Sequence, residues 1–184
     1  MSLPQGSDQS RLPLAGIVFK SKDPVNSLLE DVSRTLAARG LNLAGVLQQA
    51  VVPEGRTEKN VCLSSLRGSW QMPVLQDRGQ HAQGCRLDPH AITDVAGRLS
   101  ADLEAGADIL IVNRFGRAES EGYGLRQVLE QAVCAGIPVL LAVREDYVSA
   151  WEEFHGGMGE LLPLDRDAIL SWCDAVCEAV KSPA

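Results

Sequence analysis

Aromatic residues are scarce in this sequence: Phe, Trp and Tyr together make up 4% of its 184 residues. Because hydrophobic residues as a whole make up 45%, the core must be built mainly from Leu, Val, Ile and Ala. None of the five cysteines forms a CxxC pair, which argues against a paired-cysteine zinc or redox motif. The chain has the length of one domain that needs neither metal nor disulfides to bury its core.

Positive charge and long apolar runs are also scarce. The formal net charge is -7, which argues against a surface for nucleic acids or anionic membranes but leaves room for a local basic pocket. No apolar run is long enough to cross a bilayer, and the polar residues 1–10 do not form a secretory signal. These absences predict a cytoplasmic protein with reduced cysteines, without nucleic-acid partners or membrane insertion.

Apolar runs alternate with amphipathic segments along the chain. The runs at Leu14–Phe19 and 108–112 are continuous, as in strands that are covered on both faces, and we expect them near the middle of a sheet. Helical spacing follows Asp23-Pro24 and Asp88-Pro89, two pairs in which a helix cap precedes a proline. The alternation predicts an α/β fold: a three-layer, mainly parallel sheet with helices on both faces.

One segment departs from this alternation. Residues 61–66 and 71–75 flank Arg67-Gly68-Ser69, which predicts a β-hairpin insertion rather than a crossover. Residues 1–13 are predicted to be a disordered tail, and residues 14–184 a single α/β domain.

The loop after the first apolar run contains no glycine. A phosphate-binding loop needs glycines, so that backbone N–H groups can wrap the anion, followed by Lys and Ser or Thr. Here Asn26 takes the place of that lysine and Ser27 the place of the hydroxyl, while Lys20, Ser21 and Lys22 fill the loop. In open α/β sheets ligands bind beyond the carboxyl ends of the strands. We therefore take Lys20, Ser21, Lys22 and Ser27 as candidate anion-binding residues, the alternative being a plain turn with solvated lysines.

A second candidate precedes the Asp-Pro pair at residue 88. Arg86 offers planar paired donors that suit an oxyanion, whereas Asp88 is most simply a helix cap. Cys85, His81 and His90 are close enough in sequence to suggest a metal site, which would need a further ligand.

The segment VNRFGRAESEGYGLR is the densest in polar and charged residues. Asn113 and Arg114 stand at the expected end of a strand, where a phosphate-transferring enzyme carries acidic residues that hold magnesium. An arginine opposes a magnesium ion and favours a bare anion, so Asn113, Arg114 and Arg117 are candidate anion-binding residues. The alternative is a structural ion-pair network with Glu119 and Glu121.

Four segments together resemble a bacterial domain family of unknown function whose genes lie beside molybdenum ABC transporter genes. They are GCRLDP (84–89), NRFGRAESEGYGLR (113–126), AGIPVLLAV (135–143) and AWEEFHGG (150–157). That family is similar to P-loop nucleoside triphosphatases, so the resemblance implies a P-loop-like fold and a role near molybdate or tungstate. It implies no established reaction. Because the glycine loop, its lysine and the acidic strand end are all missing here, we expect no substantial ATP or GTP hydrolysis.

Three interpretations follow from these residues. The first is an oxyanion-binding protein whose ligand is molybdate or tungstate, with no established cofactor. The second is a degenerate nucleotide-binding protein or weak triphosphatase, and the third is a regulatory protein-binding module. The sequence leaves the oligomeric state open, a homo-oligomer included.

Overall fold

The computed structural model describes residues 12–52, 54–55, 57, 60–75 and 87–182. Within these residues seven strands form one sheet: β1 (Leu14–Phe19), β2 (Leu43–Val51), β3 (Asn60–Ser65), β4 (Gln71–Pro73), β5 (Ile109–Phe115), β6 (Val139–Arg144) and β7 (Glu160–Leu162). The helices are α1 (Val25–Ala38), α2 (Pro89–Glu104), α3 (Arg117–Ser120), α4 (Arg126–Cys134), α5 (Val148–His155) and α6 (Arg166–Lys181), with a 3-10 turn at Glu145–Tyr147.

The strand order across the sheet is β4-β3-β2-β5-β6-β1-β7. The pairs β2/β5, β5/β6, β6/β1 and β1/β7 are parallel, whereas β2/β3 and β3/β4 are antiparallel. The predicted mainly parallel sheet and its hairpin are therefore confirmed. The hairpin extends the sheet itself, because β3 pairs with β2 along six residues.

Helices cover both faces of the sheet, as predicted for a three-layer fold. On one face α1 and α6 pack against β1, β5 and β6, with Leu29, Ile111 and Leu140 fully buried in that core. On the other face α2, α4 and α5 enclose a second core around Leu129 and Trp151, which are also fully buried. We call these the α1/α6 face and the α2/α4/α5 face.

The prediction that the first strand lies near the middle of the sheet is wrong. β5 is the fourth of seven strands, but β1 is the sixth and lies between β6 and the three-residue β7. Its apolar sequence reflects burial above and below the sheet by helices, which is independent of how many strands lie beside it.

The two Asp-Pro pairs behave differently. Asp88 caps α2 as predicted, accepting the N–H groups of His90 and Ala91, and proline follows at the first helical position. Asp23 does not cap α1: its carboxylate accepts the backbone N–H of Lys20 at 2.7 Å and closes the loop instead. Helix α1 therefore begins without a side-chain cap.

The sheet ends at β4, a strand of three residues that carries Pro73. Just before and just after β4, the carbonyl of Trp70 accepts the N–H of Ser65, and the N–H of Val74 donates to the carbonyl of Val61. Bonded and non-bonded residue pairs alternate along an antiparallel pair, so the backbone groups of residues 71 and 73 point away from β3.

The described chain begins before the predicted domain boundary at residue 14. The N–H of Leu12 donates to the carbonyl of Met158, and the carbonyl of Pro13 accepts the N–H of Val139. Residues 12 and 13, which the sequence assigned to the tail, are thus hydrogen-bonded, whereas residues 1–11 lie outside the described part of the chain and the predicted tail there stays a prediction. No helix in the described ranges has the length and apolar character needed to cross a membrane.

The cysteines of α6 are core residues, as their shared helical face indicated. Cys173 and Cys177 are buried, and burial raises the pKa of Cys173 to about 12. A thiol with that pKa stays protonated at neutral pH and is a poor nucleophile.

Candidate functional site

A shift in strand register directs Arg114 to the α1/α6 face. Leu110 and Val112 pack on the α2/α4/α5 face, and strict alternation would place residue 114 there as well. The pairing of β5 with β6 shifts between Val112 and Phe115. After the shift it is Phe115, and not residue 114, that packs on the α2/α4/α5 face with Leu110. A β-bulge inserts a residue into the strand and re-aims the side chains that follow it. The side chain of Arg114 consequently lies among groups from β1 and β6.

Arg114 stacks on an aromatic ring at the carboxyl edge of the sheet. Its guanidinium carbon lies 5.4 Å from the centre of the Phe19 ring, the last residue of β1. The side chain is exposed overall, but the ring removes water from one side of the guanidinium. Burial, and secondarily the charge of Arg144, lower the pKa of Arg114. No carboxylate in the described residues forms an ion pair with it.

Arg144 is a second arginine at this edge, and sequence reasoning missed it. It ends β6, where its Cα lies opposite that of Phe19 in the parallel pair. Alternation from Ala142, a core residue of the α1/α6 face, places Arg144 on that same face. Asp146 binds one terminal nitrogen of its guanidinium at 2.7 Å, and Tyr147 lies beneath it at 5.3 Å. Its Nε atom is buried and has no hydrogen-bond partner among the residues that the structure describes.

The start of α1 supplies backbone donors next to these arginines. The helix has no side-chain cap and no acidic residue in its first turn. Among the described residues, nothing accepts the backbone N–H groups of Asn26 and Ser27. A helix N-terminus with free N–H groups attracts anions. Lys20 and Lys22 are exposed in the preceding loop and form no ion pair with the described carboxylates.

The remaining candidates in that loop are also exposed. Ser21 lies in the turn between the two lysines, and Ser27 lies on the first turn of α1. Both follow Phe19 closely in the chain, so the structure brings them to the same edge as Arg114.

Asn113 does not belong to this group. It is 4% exposed, and its Oδ1 accepts the backbone N–H of Gln48 at 3.1 Å. Its Nδ2 donates to the Gln48 side chain at 3.4 Å. The amide fastens β5 to β2, which favours a structural role, and its predicted role in anion binding stays a prediction.

Arg117 also has a partner of its own. It lies on α3, and its Nε atom is 2.8 Å from the carboxylate of Glu121, one helical turn ahead. Glu121 also bonds the hydroxyl of Tyr123, so these three side chains form a local surface network. These contacts favour the alternative of an ion-pair network, and the predicted role of Arg117 in anion binding stays a prediction.

Glu119 is a structural residue. Its buried carboxylate accepts the backbone N–H of Gly116 and that of Leu125, each at 3.0 Å, which fixes the loop between β5 and α4. Gly124 has φ +69°, and a Cβ atom there would lie 2.4 Å from the Glu119 carboxylate. Much of the GRAESEGYG segment is thus explained by the packing of one loop.

Some candidates lie outside the described residues. They are Arg86, whose predicted role in anion binding stays a prediction, and His81 and Cys85, for which the sequence left metal binding open. In the described ranges no group of three His, Cys, Asp or Glu side chains is placed to hold a metal ion.

A cavity of about 780 Å³ lies between the starts of α2 and α4, and neither Arg114 nor Arg144 lines it. Ile92, Tyr123 and Arg126 line it on the α2/α4/α5 face. Arg126 is paired with Glu130 at 3.1 Å and stacks on Phe154. We therefore place the candidate anion site at Arg114 and Arg144, not in this cavity.

The chain belongs to the family DUF2478, described as a protein family of unknown function, whose model matches residues 14–172. It is 30% identical over 159 residues to the molybdenum import ATP-binding protein ModC 2 of Bradyrhizobium diazoefficiens. That match covers 86% of this chain but 18% of the relative, so the chain spans less than a fifth of that protein's length.

Two solved structures share the fold. The crystal structure of THEP1 from the hyperthermophile Aquifex aeolicus superposes with a TM-score of 0.60 over 86% of this chain and 95% of that one. The solution structure of a human cancer-related nucleoside triphosphatase gives 0.64 over 92% and 98%. Sequence identity is 14% in both cases. The protein therefore has an α/β fold similar to that of P-loop nucleoside triphosphatases.

Proposed function

We propose that this DUF2478 protein binds a tetrahedral oxyanion at the carboxyl edge of its sheet and does not hydrolyse nucleotides. Molybdate and tungstate are the leading candidate ligands. The observation that carries the proposal is the placement of Arg114: a guanidinium stacked on Phe19, without a carboxylate partner among the described residues.

Charge favours an anion at this place. Arg114, Lys20 and Lys22 have no acidic partners in the described chain, although the protein as a whole carries a net charge of -7. A local excess of positive charge on an acidic protein attracts anions to that spot and repels them elsewhere. The planar guanidinium provides paired donors that match two oxygens of an oxyanion.

The backbone supplies the second half of the site. The free N–H groups of Asn26 and Ser27 begin a helix of 14 residues, whose dipole adds positive potential there. The loop from Lys20 to Asp23 adds side-chain donors beside them. A small anion fits such a site better than a triphosphate, because the loop has no glycines with which to wrap a phosphate chain.

The absence of hydrolysis rests on the same residues. Asn26 stands where a phosphate-binding lysine would be, and Arg114 stands near a strand end where an acidic residue would hold magnesium. Phosphoryl transfer depends on positioned cations and a held metal ion. A guanidinium at this position repels that metal.

The molybdenum assignment is supported by the relative. The Bradyrhizobium protein is named as a molybdenum import ATP-binding protein, and this chain matches a limited part of it. We infer that the matching part serves molybdate or tungstate handling beside the import machinery, as the resemblance to a transporter-associated family also implies.

Nucleotide binding without turnover is a second candidate. It is favoured by the shared fold, since one structural neighbour is named as a nucleoside triphosphatase. The two candidates predict different ligands and are separated by one screen.

The screen measures thermal unfolding in molybdate, tungstate, sulfate, phosphate, ATP and GTP. A ligand at a hundredfold excess over its Kd stabilises the folded state by about 2.7 kcal/mol. If the protein binds oxyanions, molybdate or tungstate should stabilise its folded state. If it binds nucleotides instead, only ATP or GTP should do so. If calorimetry detects no oxyanion binding to the intact protein at millimolar concentration, the proposed function is wrong.

A further inference from the structure

We propose that Arg144 is a second anion-binding residue of this site, and that with Arg114 it selects doubly charged oxyanions over singly charged ones. This inference rests on the proposed function and adds to it a residue and a ligand class.

The two arginines lie at the same end of the sheet, near the last residue of β1. Phe19 carries the Arg114 guanidinium on its face, and the Cα of Phe19 is paired with that of Arg144 on the neighbouring strand. β6 lies between β5 and β1, so Arg114 crosses the end of β6 to reach Phe19. Arg144 is the last residue of β6, the strand that lies between the two contact partners.

Arg144 keeps donors that its protein partners do not use. A guanidinium has five N–H donors in a fixed plane. Asp146 binds one terminal nitrogen, and Tyr147 stacks on the flat face, which together hold the group in place. The buried Nε–H has no acceptor in the described ranges. A buried charged donor without an acceptor is costly, and a ligand oxygen would relieve that cost.

The charges of the two arginines oppose each other. Burial, and secondarily the charge of Arg144, lower the pKa of Arg114. Asp146 offsets part of the charge of Arg144, whereas no carboxylate in the described residues pairs with Arg114. Coulomb energy is proportional to the charge of the ligand, so a dianion near both guanidinium groups gains about twice the attraction of a monoanion at the same place.

Calorimetric titration of the full chain tests this proposal. The probes are molybdate and sulfate as dianions and perchlorate as a monoanion, since all three are tetrahedral and sulfate and perchlorate differ mainly in charge. The variants are Arg144→Gln, which removes the charge, and Arg144→Lys, which keeps the charge but not the paired donors. Arg39→Gln is the matched control: it removes an exposed arginine at the far end of α1, about 20 Å from the helix start.

We expect Arg144→Gln to weaken molybdate and sulfate binding about tenfold or more and perchlorate binding by about threefold, because the lost attraction is proportional to the charge of the ligand. Arg144→Lys should lie between the wild type and the glutamine variant, and Arg39→Gln should match the wild type. Thermal unfolding without ligand checks that the variants are folded. If the glutamine variant does not fold, the lysine variant decides the question. A lysine variant that binds molybdate and sulfate with wild-type affinity would overturn paired-donor binding by Arg144.

Other results would overturn the inference in distinguishable ways. If the wild type binds molybdate and Arg144→Gln binds it equally well, Arg144 is not a ligand-binding residue, and the proposed function stands. If the variant loses molybdate and perchlorate equally, Arg144 binds anions without selecting their charge. If the wild type binds none of the three probes, the inference and the proposed function fail together.

Discussion

The guanidinium of Arg114 lies 5.4 Å from the centre of the Phe19 ring, and the two residues belong to strands that are not neighbours in the sheet. An exposed cation–π contact of this kind contributes about 0.5–1 kcal/mol. Its main effect is on position, because the ring holds the long arginine side chain over the end of β6. The guanidinium is thus placed before a ligand arrives, which lowers the entropy lost on binding.

Replacing Arg114 with alanine should weaken oxyanion binding about tenfold or more, because a charged paired donor is lost. The free energy of unfolding should change by less than about 1 kcal/mol, since the stacking contact is the main one lost. Calorimetry measures the first quantity and denaturant unfolding the second.

Arg67→Ala is the matched control for that variant. Arg67 is a partly buried arginine that donates to the carbonyls of Leu43 at 3.0 Å and Gly106 at 2.8 Å. Its loss should lower the free energy of unfolding by about 2 kcal/mol and leave oxyanion affinity intact. Equal destabilisation by both variants would show that Arg114 is a structural residue.

The protein should not turn over ATP or GTP at an enzymatic rate. The loop lacks glycine, and Asn26 replaces the lysine that would hold the phosphates. Steady-state assays with magnesium should give turnover below about 1 s⁻¹, the lower end of the usual enzyme range. Turnover within that range that Ser27→Ala abolishes would contradict the prediction.

Two neighbouring glycines should respond differently to alanine. Both Gly122 (φ +94°) and Gly124 (φ +69°) have left-handed backbones, which cost an alanine about 1–2 kcal/mol. A Cβ at Gly124 would also lie 2.4 Å from the carboxylate of Glu119, whereas nothing lies within 4 Å of one at Gly122. Denaturant unfolding should therefore show a larger loss for Gly124→Ala. Equal losses would mean that the Glu119 carboxylate moves aside freely.

The folded protein should lose stability as the pH falls below the ordinary histidine pKa of about 6.5. Burial lowers the pKa of His155, and its Nδ1 atom accepts the N–H groups of Gly157 at 3.1 Å and Gly159 at 3.0 Å. The unfolded chain therefore binds a proton more readily than the folded one. The stability contributed by neutral His155 is present above pH 6.5 and declines below it.

Unfolding free energies at pH 7.5 and 5.5 measure this effect. The difference between the two values should shrink in His155→Gln and stay unchanged in His90→Gln, which alters an exposed histidine at the start of α2. The prediction is wrong if both variants keep the wild-type pH dependence.

The layers of the fold could be predicted from the sequence, and the order of its strands could not. Alternation of apolar runs with helical spacing depends on local burial, and the parallel strands and the long helices follow it. The position of a strand across the sheet depends on which strands pair with each other. The apolar sequence of β1 therefore did not indicate that it is the sixth of seven strands. The difference between Asp23 and Asp88 was equally hidden, because both precede a proline and only the contacts decide which one caps a helix.

The candidate site was partly predictable for the same reason. Arg114 stood out as a cation near a strand end, but the sequence indicated a strand that ended at Val112 and gave no sign of the register shift that follows. Arg144 was missed because it becomes relevant only when β6 is known to lie between β5 and β1. A cation directly after an apolar strand was the available signal. Asn113 and Arg117 looked equivalent to Arg114 until their partners were known.

Pro73 limits how copies of this protein can associate. Residues 71 and 73 of β4 face away from β3, and a proline has no N–H group to offer an incoming strand. A second molecule that added its own strand at this edge would leave one of its carbonyls without a donor. Proline on a short edge strand is one of the means by which proteins avoid uncontrolled edge-to-edge aggregation. Self-association through a continuous intermolecular sheet is therefore disfavoured at β4.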